Sequence, residues 1–128
     1  MNDRLSSADV LSALADSKLL DMFRTIAKGN GKSDDLKNRG ITKKQFYMRT
    51  AKLIKTGLVR RVKGHFLLTN FGKVVYHAEL KIEASVTNYW KLKAIDGIKS
   101  SGQIQENEKR KLLKSIINDN TIESILIK

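Results

Sequence analysis

The sequence predicts a mainly α fold with one small β-hairpin, followed by a long C-terminal helix and a helical tail. Three observations predict it. Apolar residues recur at three- and four-residue spacing over most of the chain. Between residues 58 and 69 the period drops to two. Proline is absent, so no helix interior meets a missing N–H. With 128 residues and 41% hydrophobic content, the chain can bury a core as one domain with an appendage.

The elements follow in order. Ser6 or Ser7 can cap a first turn, and Val10, Leu11 and Leu14 then recur at helical spacing. Asp16 and Ser17 offer a second cap before Leu19, Leu20, Phe23, Ile26 and Ala27, and Gly29-Asn30-Gly31 ends that face. Two short helices and one kinked helix both fit. Ser33 is expected to cap a short helix, with Asp34 and Asp35 at its positive end and Leu36 as its apolar contact. Asn38-Arg39-Gly40 reads as a turn. Thr42 is then expected to cap a helix over Lys43–Thr56, closed by Gly57. Phe46, Thr50, Leu53 and Ile54 share its inner face, and Lys44, Met48, Ala51, Lys52 and Lys55 lie roughly opposite.

Leu58–Val62 and His65–Thr69 are strand candidates, and Lys63-Gly64 is a two-residue hairpin loop. A long helix begins at Asn70. In it Phe71, Val75, Ala78, Ile82, Ser85, Tyr89 and Leu92 form a seven-residue pattern, which predicts one seam. Gly97 to Gly102 is expected to break it. A charged amphipathic helix follows over Glu106–Asn118, then a short apolar end over Thr121–Ile127.

Charge is distributed unevenly over these elements. From Leu36 to Ala78 there is no acid, and eleven bases fall in the same stretch. The remaining fourteen bases face all thirteen acids, so nearly the whole net charge of +12 lies in one third of the chain. A surface selected for solubility would mix the signs. One-sided charge confined to a segment is the footprint of a polyanion partner.

The order helix, short helix, turn, helix, hairpin, helix is that of a winged helix-turn-helix. A helix enters the DNA major groove only if one face packs on the body and the other is free. The 43–56 helix divides that way, and its free face offers Lys44, Gln45, Tyr47, Met48, Arg49 and Lys52. Arg and Lys can donate to guanine, and Gln can pair with adenine. Lys43 and Lys55 add charge at the helix ends. The hairpin adds Arg60, Arg61, Lys63 and His65 near the phosphates.

The sequence resembles the winged-helix transcriptional regulators of archaea and bacteria, broadly the ArsR/MarR-like group, over about residues 8–95. The resemblance rests on Ala13–Leu19 before a helix, Ser33-Asp34-Asp35-Leu36, and Ile41–Phe46. It rests most on Leu53-Ile54-Lys55-Thr56-Gly57-Leu58-Val59-Arg60-Arg61 and Leu68-Thr69-Asn70-Phe71-Gly72. It implies that 43–56 is the recognition helix, with Lys44, Gln45, Tyr47, Met48, Arg49 and Lys52 toward the groove and Lys63 and His65 at the wing tip. It further implies a sequence-specific, double-stranded DNA-binding regulator, cytoplasmic and nucleoid-associated. The domains expected are a DNA-binding unit over 1–84 and a helical extension over 85–128, for dimerisation or packing. Metal-sensing members use Cys and His clusters, and this chain has no Cys.

Several of these residues have a plainer reading. Tyr47 could contact DNA or fill the edge of the core, and Met48 could touch a thymine methyl or lie idle on the surface. Gln45 could be ordinary helix surface. Arg60 and Arg61 alternate on a strand, so only one is expected to face phosphates. Tyr89 and Trp90 could line a ligand pocket, or serve packing or dimer contacts. The preferred reading is a homodimer through the helix over about 71–95. The alternative is that this seam packs on residues 106–127 of the same chain.

No enzyme is expected. There is no Gly-rich phosphate loop, no Cys nucleophile and no sign of a carboxylate acid–base pair. No cofactor, metal site or membrane partner is expected. A non-specific architectural DNA binder and a winged-helix protein adaptor are the rival readings.

Overall fold

The computed structural model describes residues 5–102 and 105–127, with backbone alone at 99–101. It is mainly helical with one two-stranded antiparallel hairpin. The elements are α1 (Ser7–Leu14), α2 (Ser17–Ala27), α3 (Ser33–Lys37), α4 (Lys43–Lys55), β1 (Val59–Val62), β2 (His65–Leu68), α5 (Asn70–Thr87), α6 (Tyr89–Ser101), α7 (Glu106–Ile116) and α8 (Asn120–Leu126). Two compact units form, Met1–Tyr76 and His77–Lys128, dividing within α5.

In the first unit, α1 opens with a capping box. The Ser6 hydroxyl accepts from Asp9 N–H, and the Asp9 carboxylate accepts from Ser6 N–H. Asp16 then caps α2, one carboxylate oxygen accepting from the N–H groups of Lys18 and Leu19 at 3.0 and 3.2 Å. An N-cap residue is extended, so Asp16 divides the segment into two helices.

The cap expected at Ser33 lies one residue earlier, at Lys32, whose side chain makes no cap bond. The backbone there is held from another direction. Lys32 bridges His65, Phe66 N–H donates to Gly31 C=O at 2.7 Å, and Ser33 N–H donates to Gly64 C=O at 2.9 Å. The 31–33 segment thus lies along β2 as a third short rail, and Ser33 is buried as the first residue of α3.

Helix α4 has a second capping box, from Thr42 and Gln45. It ends in a Schellman motif: Leu58 N–H donates to Leu53 C=O and Gly57 N–H to Ile54 C=O, both at 3.0 Å. The motif requires the left-handed region at Gly57, where φ is +77°, and glycine enters it without a Cβ penalty. The chain then runs directly into the hairpin. Val59 pairs with Leu68 and Val62 with His65, around a Lys63-Gly64 turn with positive φ at both residues.

The core beneath these elements contains Ala13, Leu19, Met22, Phe23, Ile26, Leu36, Phe46, Leu53, Leu58, Val59 and Phe66. Phe66 meets Phe46 edge-on at 6.2 Å, and Phe23 meets Tyr76 at 6.1 Å. These contacts fix α4 against α2, α3 and the hairpin. Ile54 does not join the core as expected. It is 45% exposed, because the inner arc of α4 is filled by Phe46, Thr50 and Leu53.

In the second unit, Ile95, Leu113, Ile117 and Ile122 form a separate core, with Ala84, Leu92, Ile116, Leu126 and Ile127 packed on it. Of the apolar chain end, Ile122 is therefore buried within its own chain and Leu126 and Ile127 pack against it, while Ile125 stays exposed. The expected single long helix is divided at Asn88, whose side-chain amide donates to Ala84 C=O at 2.8 Å, alongside its own backbone N–H. Gly97 lies inside α6, and the helix stops only at Gly102.

The predicted seam is not one surface. Val75 packs on the first core and Leu92 on the second, while Ile82, Ser85 and Tyr89 are exposed. The alternative reading, packing of this helix on residues 106–127, is found through Ala84, Leu92 and Ile95. No helix among the described residues is long and apolar enough to cross a membrane.

Candidate nucleic-acid interface

Helix α4 buries Phe46, Thr50 and Leu53 and turns the rest of its circumference outward. Lys43, Lys44, Tyr47, Met48, Lys52 and Lys55 are all exposed, Met48 by 62%. The lysines of this group make no ion pair with a described residue. Beside them, Met48, Ala51, Lys52 and Lys55 line one side of an open groove of about 610 Å³. Leu5, Asp9 and Ser12 line the other side. Asp9 is the nearby acid. Its carboxyl is held below the usual range first by the Ser6 backbone N–H, then by the Ser6 hydroxyl, with a smaller contribution from Lys55.

Two residues placed on the free face are engaged elsewhere. Arg49 Nε donates to the second carboxylate oxygen of Asp16 at 3.1 Å, and the Arg49 side chain is only 19% exposed. It joins α4 to the start of α2. Gln45 is half-buried, and its Oε1 accepts from Thr42 N–H at 3.1 Å. A bidentate pair with adenine needs both the oxygen and the nitrogen of a Gln side chain. Gln45 can offer both only by opening its capping box. Their engagement differs from the open groove face on which the sequence places them. Periodicity assigns a face, but it does not show that Asp16, thirty-three positions away, closes over that face.

In the hairpin, register and strand alternation put Arg60, Val62, His65 and Leu67 on one face and Val59, Arg61, Phe66 and Leu68 on the other. Both arginines are exposed. The Arg61 guanidinium lies over the Phe66 ring, 5.7 Å from its centroid, a cation–π arrangement that holds it against the body. Arg60 lies on the opposite face, near His65. Lys63 is exposed at the turn.

The sequence reading omitted two cations from the site. The Lys37 ammonium lies 5.6 Å from the ring centroids of both Phe46 and Tyr47, placing positive charge at the α3 edge of α4. Lys32, exposed, stands beside His65 through the backbone bridge. Neither has a local sequence signal, because both depend on how α3 and the hairpin dock. Tyr47 has elements of both expectations: its ring packs edge-on to Phe46 at 5.4 Å while 44% of the residue stays exposed.

No group of three His, Cys, Asp or Glu residues suited to a metal ion occurs among the described residues. Comparison of the chain with protein-family models, curated proteins and solved structures gives no match.

Proposed function

We propose that this chain binds double-stranded DNA through the outer face of α4 and the β1–β2 hairpin, and that it acts as a transcriptional regulator. One observation carries the reading. A helix anchored on its inner side by Phe46 and Leu53 presents Lys43, Lys44, Lys52 and Lys55 outward, within a segment that contains no acid. Lys63 and Arg60 extend the same charge along the hairpin. A rigid convex cationic element of this size suits the major groove and the phosphates that flank it. The winged helix-turn-helix arrangement is part of this proposal.

The division of labour follows from the geometry. The lysines supply affinity as point charges on phosphates, and Lys44, Tyr47 and Met48 remain to touch base edges. With Arg49 and Gln45 engaged inside the protein, few side chains are left for bidentate base pairing. That observation favours a second reading, a DNA binder of low sequence preference with an architectural role.

Selection of sites from random duplex DNA at near-physiological salt separates the two. A consensus supports the regulator, and retention without a consensus supports the architectural reading. No retention would refute DNA binding and leave the cationic face to an acidic protein or RNA. If about six phosphates are neutralised, log affinity falls with log salt at a slope near −5. Lys44→Ala is expected to weaken a selected site more than random DNA, and Lys63→Ala to weaken both equally.

A further inference from the structure

Asp16, just beyond α1, pairs with Arg49 of α4, and Asp9, two turns earlier, lies within electrostatic reach of Lys55 near the end of α4. The two helices therefore run antiparallel, with the open groove of about 610 Å³ between them. The α1 wall presents Leu5, Asp9 and Ser12, spaced by four and three residues. The α4 wall presents Met48, Lys52 and Lys55, spaced the same way. Ala51 also lies on the α4 side, and its single methyl group leaves the middle of the groove open.

The walls carry opposite charge and do not neutralise each other. Asp9, Lys52 and Lys55 are all exposed, and neither lysine makes an ion pair with a described residue. The Asp9 carboxylate is pinned on its wall, because its Oδ2 accepts from Ser6 N–H at 2.9 Å in the α1 cap. Apolar surface lies toward both ends, Leu5 at one and Met48 at the other. Asp9 repels a polyanion, and the two lysines repel a simple cation. A small molecule with a carboxylate, an ammonium and an apolar body meets each part of the lining with its complement.

We infer that the groove binds a free α-amino acid with an apolar side chain. Its carboxylate pairs with Lys52 and Lys55, its ammonium with Asp9 and the Ser12 hydroxyl, and its side chain lies over Ala51 against Met48. Ion pairs this exposed contribute little each, so the affinity expected is millimolar. The site goes beyond the DNA reading and does not rest on it. On that reading the amino acid and the duplex compete for Lys52 and Lys55, which makes the groove a point of regulation.

Titration of the isotope-labelled full chain with L-leucine, followed by amide NMR and without DNA, tests the assignment. Saturable shifts are expected around Asp9, Ala51 and Lys55. Isocaproate, which lacks the ammonium, and L-leucinamide, which lacks the carboxylate, should each bind about fivefold more weakly. Asp9→Asn keeps an acceptor for Ser6 N–H and should weaken leucine about fivefold without weakening isocaproate. Lys55→Gln should weaken leucine and leave leucinamide unchanged. Ala51→Leu, at an exposed helical position, fills the groove and should abolish the shifts with an unchanged far-ultraviolet circular dichroism spectrum. No saturable shift up to about 50 mM leucine overturns the inference. So does equal affinity for leucine, isocaproate and leucinamide, or binding that survives Ala51→Leu.

Discussion

The Asp16–Arg49 pair offers the sharpest test of how α4 is held. One Asp16 carboxylate oxygen caps α2 through Lys18 and Leu19, while the other accepts from Arg49 Nε at 3.1 Å. Asp16→Asn keeps a good N-cap and loses only the charge pair. The two side chains are 37% and 19% exposed, so the pair belongs at the upper end of the range for surface ion pairs, about 1 kcal/mol. Arg49→Met is expected to cost a similar amount. The double variant should lose little more than either single one, giving a coupling energy of about 1 kcal/mol. Asp16→Ala removes the cap as well and should cost about 2 kcal/mol, or roughly 8–16 °C in Tm for a unit of this size.

Acid adds a further check on the same pair. Burial raises the Asp16 pKa, but the Leu19 N–H, the Arg49 charge and the Lys18 N–H outweigh it, and the carboxyl is held below its ordinary value. A lowered folded pKa gives stability that is present above the unfolded value, about 3.9, and lost as pH falls through the folded one. The deficit of Asp16→Asn should therefore be full at neutral pH and fade below the unfolded value. Urea unfolding of the four-member cycle at several pH values measures all of this. Coupling below about 0.4 kcal/mol, within the scatter of additive pairs, would refute the argument that Arg49 is structural. On the DNA reading, Asp16→Asn also frees Arg49 and removes an acid beside α4, so duplex affinity should rise. A fall in affinity, measured by fluorescence anisotropy, would count against that placement.

Two further predictions concern packing. Gly31→Ala places a Cβ 2.0 Å from the Phe66 carbonyl oxygen, a backbone atom that cannot swing away, so the 31–33 rail must part from β2. The expected loss is about 2–3 kcal/mol in urea unfolding, and unchanged stability would show that the rail is not held as described. Ile117→Ala empties a fully buried position in the second unit and should cost about 2–5 kcal/mol, read from the denaturant midpoint by circular dichroism.

Much of this was legible in the sequence because it depends on neighbours in the chain. The caps at Ser6, Asp16 and Thr42 form from residues two or three positions apart, and the turn at Lys63-Gly64 and the stop at Gly57 answer to local backbone sterics. The inner residues Phe46 and Leu53 follow from helical period, and so does the outward lysine face of α4. Ser33 was misplaced as a cap because a hairpin more than thirty residues downstream holds its backbone.

The helix-and-hairpin order, the concentration of positive charge in residues 36–78 and the inward side of α4 can all be read from local sequence. Those depend on period, on cap and turn chemistry, and on composition, all of which act over a few residues. Long-range packing alone sets the pairing of Arg49 with Asp16, the position of Lys37 beside the rings of α4, and the packing of Ile122, Leu126 and Ile127 in the core around Ile95. Only it left Ile82, Val86, Tyr89 and Trp90 uncovered. Helical period says that a face is apolar or charged. What covers that face is decided by long-range packing, in which residues far apart in sequence compete for the same surface.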